Sequence, residues 1–320
     1  MSKCFRLALV SLWLLWISAP AFSQNGVNIQ LQNPLQIATL HWYPANLTTT
    51  FAVGANPNAL AFDGASVWVA NGNDDTVTKM HASDGTVLGT FSSGGSGPYG
   101  IAYDGANIWL SNYGSFTATK LRASDGTLLG TFNVGPNPEG VAFDGSNVWI
   151  ANYGANTVTK LRASDGSLVG TFTVGDGPFG IAFDGNNIWT ANFRSNNVSK
   201  VRASDGVLLG TFAVGTSPIG MTFDGASIWV ANNGSGTVSK LSASSGSVQG
   251  TFHVGTGPIG VAFDGANVWV ANSQSNNVTK LSVLSGAVLG TFNVANPVFP
   301  AFDGADIWVT NGATNTVSKL

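Results

Sequence analysis

The chain has 320 residues, of which 44% are hydrophobic and only 9% charged, with 41 glycines, 10 tryptophans and a net charge of −3. A chain this apolar is not intrinsically disordered, and its glycine and β-branched content is wrong for a helical bundle. With no basic run, an electrostatic grip on nucleic acid is not expected.

The first 23 residues read as a leader. Lys3 and Arg6 precede an apolar stretch from Leu7 to Ile17, and Ala21-Phe22-Ser23 offers small residues at a cleavage site. The apolar stretch is too short to span a bilayer, and no longer one follows, so export without a membrane span is expected, to the periplasm or beyond. Cys4 leaves with the leader, so the mature chain relies on packing rather than disulfides. Loss of Lys3 and Arg6 takes the net charge from −3 to −5. Residues 24–46 form a lead-in segment, and residues 47–320 carry one repeated unit.

That unit is marked by Phe/Tyr-Asp-Gly-x-x-Ile/Val-Trp, starting at Phe62, Tyr103, Phe143, Phe183, Phe223, Phe263 and Phe302, a mean spacing of 40 residues. Repeats of this length built from short strands predict a propeller with one four-stranded blade per unit. In the unit from Pro138 to Gly175, strand A is Glu139 to Phe143, with small Gly140 and Ala142 suited to a crowded axis. Asp144-Gly145 turns the chain into strand B, Val148 to Ala151, which stops at Asn152-Tyr153-Gly154. Strand C is Thr157 to Leu161, and Asp165-Gly166 forms a hairpin signal before strand D, Leu168 to Val174. No capped helical pattern occurs after residue 24. The seventh unit lacks a strand D, but Thr50-Phe51-Ala52-Val53-Gly54 carries its signature ahead of the first unit. Residues 47–53 are therefore expected to complete the last blade and close the ring. The fold class is all-β: a seven-bladed β-propeller of four antiparallel strands per blade, expected to be a monomer.

These units resemble the YVTN-type and NHL-type bacterial propeller repeats, Trp149-Ile150-Ala151-Asn152 falling where the name-giving strand of the first family would lie. The Asp-Gly-x-x-Ile-Trp core is also distantly similar to the repeat of the streptogramin (virginiamycin B) lyases, over residues ~47–320. The lyase resemblance implies a metal held by acids and a histidine base in the upper channel. The sequence departs from it: Asn ends every strand B where that family has an acid, and His41, His81 and His253 lie away from the axis. No zinc-type cluster, no Gly-x-Ser-x-Gly elbow and no P-loop is present, so no catalytic residue, metal site or cofactor is assigned.

What recurs in every unit belongs to the scaffold, and what occurs once is a candidate for function. By this test the seven Asp of the Asp-Gly turns shape those turns. The seven Trp of the motif fill the space between blades. The Asn ending each strand B satisfies loop backbone, and Lys79, Lys120, Lys160, Lys200, Lys240, Lys280 and Lys319 lie at the solvent rim or pair with a repeat Asp. Among the off-pattern charges, Asp74, Asp75, Glu139, Asp176 and Arg194 fall in or beside B–C and D–A loops, which emerge on one face; Asp306 faces the other way. Off-pattern aromatics gather on that same upper face in units 2 to 4. Tyr99, Tyr113, Phe116, Glu139, Tyr153, Phe179, Phe193 and Arg194 are therefore the candidate binding residues for a protein, peptide or glycan. The rings could alternatively cover the channel mouth. The expected function is an exported, non-catalytic recognition propeller; the alternatives are a metal-dependent lyase or lactonase and a structural cell-surface module.

Overall fold

A computed structural model describes residues 49–320. The leader, the lead-in segment with His41, and residues 47–48 of the expected closing strand lie outside the described residues. The described chain forms seven four-stranded antiparallel sheets. In the third blade the strands are Pro138–Phe143, Asn147–Asn152, Thr157–Arg162 and Leu168–Thr173, in that spatial order, within about a residue of the limits that the turn signals mark. In the last blade Thr49–Ala52 pairs antiparallel with Thr316–Lys319, Phe51 standing opposite Val317.

Strand A is innermost, and each strand A neighbours the next around a closed ring. Glycine is required there by close approach. A Cβ on Gly180 or Gly220 would collide with the carbonyl oxygen of Ile219 or Ile259 in the following blade. D–A and B–C loops share the upper face: the N–H of Tyr113, Tyr153 and Phe193 donates to the carbonyl of Gly97, Asn137 and Gly177 in the D–A loop of its own blade. A–B and C–D turns meet on the lower face, where the first residues of strand D leave Leu168 and Leu208 exposed on the outer rim.

The core is seven inter-blade clusters rather than one centre. Trp68, Ala70 and Val77 of the first blade pack on Ile101, Ile108 and Leu121 of the second, and the pattern repeats to the contact of Trp308 and Val317 with Leu60 and Met80. Each motif Trp donates its indole N–H to the Asp of its own Asp-Gly turn at 2.7–2.8 Å. The other carboxylate oxygen of that Asp accepts backbone N–H groups of the turn, as Asp144 does from Ser146 and Asn147. These Asp therefore shape the turn and also anchor the tryptophan.

The repeat lysines behave differently from expectation. Each Nζ lies over its blade's Trp ring, 4.7–5.4 Å from the centroid. In six of them it also donates to a carbonyl of the next blade's C–D hairpin at 2.6–2.9 Å, Lys160 to Ala203 for example. The clusters between blades are apolar, and the ammonium finds its partners in a ring face and carbonyl oxygens. Only Lys79 with Asp63 and Lys319 with Asp306 approach a carboxylate within 4.0 Å among the described residues. The Asn ending strand B is likewise turned inward. Its amide N–H donates to Thr, Ser or Asn side chains of strand C, as Asn152 does to Thr157 and Thr159. It serves the B–C strand pair, and among the described residues only Asn152 also takes a loop N–H, from Gly135 at 3.1 Å.

Candidate functional site

On the upper face, the residue after each D–A proline enters the channel mouth at the start of strand A. Tyr99 and Phe179 meet there edge to face, with ring centroids 5.5 Å apart. Phe299, from the last blade, meets Tyr99 from the other side at 6.0 Å. Together with Met221 and the strand-A glycines these three rings line a cavity of about 140 Å³ on the axis. Two of the candidate residues, half-buried Tyr99 and Phe179, thus cover the channel mouth. Phe299 escaped the sequence reading because it stands one position further along strand A, where Gly100, Gly140, Gly180, Gly220 and Gly260 occupy other units. The signal was present: a phenylalanine in a glycine column. Its backbone is held by Thr310, whose hydroxyl accepts the Phe299 N–H at 3.0 Å.

The aromatic cluster continues outward from Phe179 to Tyr153 and Phe193, with centroids 6.0–6.4 Å apart. Arg194 lies over the Tyr153 ring at 4.3 Å and pairs with Asp176 at 3.5 Å, both charges half exposed. Such an exposed pair contributes little to stability but fixes the guanidinium at the rim of the cluster.

Glu139 is not at an exposed edge. It is 4% exposed, and its Oε2 has no hydrogen-bond partner among the described residues. Burial pushes its carboxyl well above the usual carboxylate range. The same burial, with the Glu139 charge and Tyr113 nearby, raises the Tyr99 hydroxyl. Glu139 belongs to the wall of a second cavity of about 300 Å³, shared with Asn56, Asn58, Gly72 and Asn73 of the first blade and Gly97, Tyr99 and Tyr113 of the second. Its backbone is fixed by a second off-pattern residue: Ser111, where five other units have alanine, donates its hydroxyl to the Glu139 carbonyl and accepts the Gly100 N–H at 2.8 Å.

Tyr113 and Phe116 share the B–C loop of the second blade and are 39% and 44% exposed. Phe116 has φ +60, in the left-handed region. The equivalent residue is Asp75, Asn156, Asn196, Asn276 or Asn315 in five other blades and Gly236 in the remaining one. Those five side chains accept a backbone N–H from the D–A loop of the next blade, as Asn156 does from Gly177 at 2.9 Å. Phe116 supplies no acceptor and carries the steric cost of a left-handed non-glycine residue. Phe116→Asn is therefore expected to raise stability by about 1–2 kcal/mol, read as a higher urea midpoint at unchanged slope. An unchanged or lower midpoint would contradict the strain assigned to this loop.

Fold and site together define a seven-bladed, all-β propeller with an aromatic upper mouth and a cavity holding a buried carboxyl. No protein-family model matches the chain, and no match is found among the curated proteins. Among solved structures, a catalytically inactive variant of virginiamycin B lyase from Staphylococcus aureus, solved with quinupristin, is similar with a TM-score of 0.74 at 16% identity, over 85% of this chain and 99% of that one. A streptogramin B lyase structure gives 0.73 at 16% identity, over 85% and 96%. Hydrazine synthase of Kuenenia stuttgartiensis gives 0.73 at 17% identity, over 83% and 95%. The likeness to the lyase propellers extends to the fold; propellers carry unrelated functions on one scaffold.

Among the described residues no group of three or more His, Cys, Asp or Glu could hold a metal ion. Exposed His81 ends a strand C at the lower hairpin, and exposed His253 ends an outer strand D. No helix among the described residues is long and apolar enough to cross a membrane.

Proposed function

We propose that the chain is an exported recognition propeller that binds a protein, peptide or glycan through the upper face of blades 2 to 4, without catalysis. The observation that carries this reading is the Tyr113–Phe116 loop. Two aromatic rings stand exposed, Tyr113 in the wall of a cavity and Phe116 in a strained backbone conformation that asparagine or glycine would relieve. Strain kept against the repeat pattern is a mark of a working surface. Tyr153, Phe193 and Arg194 extend that surface with apolar area and one oriented cation, the composition of a binding hot spot.

The test is a screen of the purified chain on glycan and peptide arrays, followed by titration of the ligands found. Tyr113→Ala and Phe193→Ala are each expected to weaken binding by about 1–2 kcal/mol with little change in melting, and Leu168→Ser on the lower rim to leave it unchanged. Binding that survives the upper-face changes, or that falls with Leu168→Ser, overturns the assignment.

One observation favours a second reading, a lyase-like enzyme. Glu139 is a buried carboxyl with a raised pKa near the channel mouth, a suitable general acid, on a scaffold similar to lyases. Turnover of a streptogramin that disappears in Glu139→Gln would establish that reading in place of the first.

A further inference from the structure

We propose that the cavity beside Glu139 is a site for an organic ammonium group, a primary amine or a methylated ammonium, held between the Glu139 carboxylate and the rings of Tyr99 and Tyr113. The inference rests on the reading of the upper face as a binding face and narrows what that face takes.

Glu139 is the only glutamate in the chain, and it is placed where a carboxylate is expensive. It is 4% exposed, its Oε2 has no partner among the described residues, and no Lys, Arg or His contributes to the cavity wall. A buried acid is ordinarily matched by a cation or by several N–H donors. Neither is present among the described wall residues, so the carboxyl keeps its proton in the free cavity, and a cationic ligand is the partner that would let it ionise. The remainder of the wall selects its sign and type. Two tyrosine rings line the cavity, and aromatic faces attract cations. Asn58 commits its Nδ2 to the Pro98 carbonyl at 3.0 Å, which leaves its Oδ1 as an acceptor. Asp75, in the loop that follows the first blade's strand B, accepts the N–H of Gly97 at 2.7 Å and adds a further negative charge at the rim. An anionic ligand would find no cation in the described wall, whereas a cationic one gains from ionising the carboxyl, a gain that a neutral ligand does not have. A transition-metal ion that seeks imidazole, thiolate or several carboxylates would find too few ligands, since no group of three acids, histidines or cysteines forms among the described residues. An organic cation with apolar substituents satisfies the carboxylate and the rings at once.

The experiment titrates choline, and its uncharged carbon isostere 3,3-dimethylbutan-1-ol, into the full chain by calorimetry. Choline is expected to bind about tenfold more tightly or better, the two probes differing in charge alone. Glu139→Gln, isosteric and neutral, is expected to erase that preference while melting stays close to wild type. Should Glu139→Gln fail to fold, Tyr113→Leu in the exposed loop decides, because loss of one ring must also reduce the preference. Equal affinity for both probes, or a preference that persists in Glu139→Gln, overturns the ammonium site. Equal affinity that still falls in Tyr113→Leu would overturn this site alone and leave the aromatic recognition face standing. Choline preference that depends on Glu139, combined with array binding indifferent to Tyr113 and Phe193, would uphold this site and overturn the wider reading.

Discussion

Trp149→Ala is expected to destabilise the propeller by about 3–5 kcal/mol, a large part of the ~5–15 kcal/mol that holds a typical domain together. The ring is fully buried between two blades. It packs on Phe172 at 5.6 Å, takes the Lys160 ammonium over its face at 5.0 Å and donates its N–H to Asp144 at 2.8 Å. Alanine opens a cavity, strips a buried lysine of its ring and leaves a half-buried carboxylate short of a donor. Trp149→Phe should recover most of the packing and still lose about 1–3 kcal/mol from the unpaired Asp144 oxygen. Urea denaturation of the three proteins gives the order; a Trp149→Ala midpoint near wild type would show that the inter-blade clusters are not what holds the ring. The same bonds carry a pH dependence. Burial opposes ionisation of Asp144, but the Trp149 indole N–H and the N–H groups of Asn147 and Ser146 outweigh it and hold the carboxyl below its ordinary range; Asp184 and Asp264 behave alike. A carboxylate with a depressed folded pKa contributes stability that is present above its unfolded value, about 3.9, and is lost as pH falls through the folded one. Stability should thus drop below about pH 4, and less steeply in Trp149→Phe, which removes one of the donors.

A chain beginning at Ala55 is expected to lose cooperative unfolding and to aggregate. The deletion removes Thr49–Ala52, the outer strand of the last blade, and exposes Thr316–Lys319 as an unpaired edge. It also removes Phe51, which covers Trp308 at a ring separation of 5.4 Å and joins the cluster that ties the last blade to the first. In a ring each blade is held by two neighbours, so opening one joint weakens both sides of it. Size-exclusion chromatography and thermal melting read the result. A monomer with unchanged melting would mean that the ring does not depend on this strand.

The architecture was legible because its signals are local and repeated. An Asp-Gly turn before Ile/Val-Trp, and a second turn such as Asp165-Gly166 between β-branched runs, mark strand ends without knowledge of any distant contact. The roles of the repeat lysine and of the asparagine ending strand B were not legible, because both depend on what lies across an inter-strand or inter-blade gap. Lys160 finds its carbonyl 43 residues away, and nothing near it in the chain announces Ala203. Glu139 was found as an off-pattern acid, but the cavity beside it is walled by residues of three blades, which no single unit announces. Phe299 could have been found by comparing the glycine column of strand A across units, and Phe116 by noticing which residue breaks the Asn/Asp/Gly series of the B–C turn. In a repeat protein, site residues show as exceptions within columns more plainly than as motifs.

The most direct test of the binding face is hydrogen exchange with and without a bound array ligand. Protection is expected in the upper loops, residues 93–97, 112–117, 152–156, 175–179 and 192–196, with the lower C–D hairpins around Asp125, Asp165 and Asp205 unchanged. Protection confined to those lower hairpins would contradict the account.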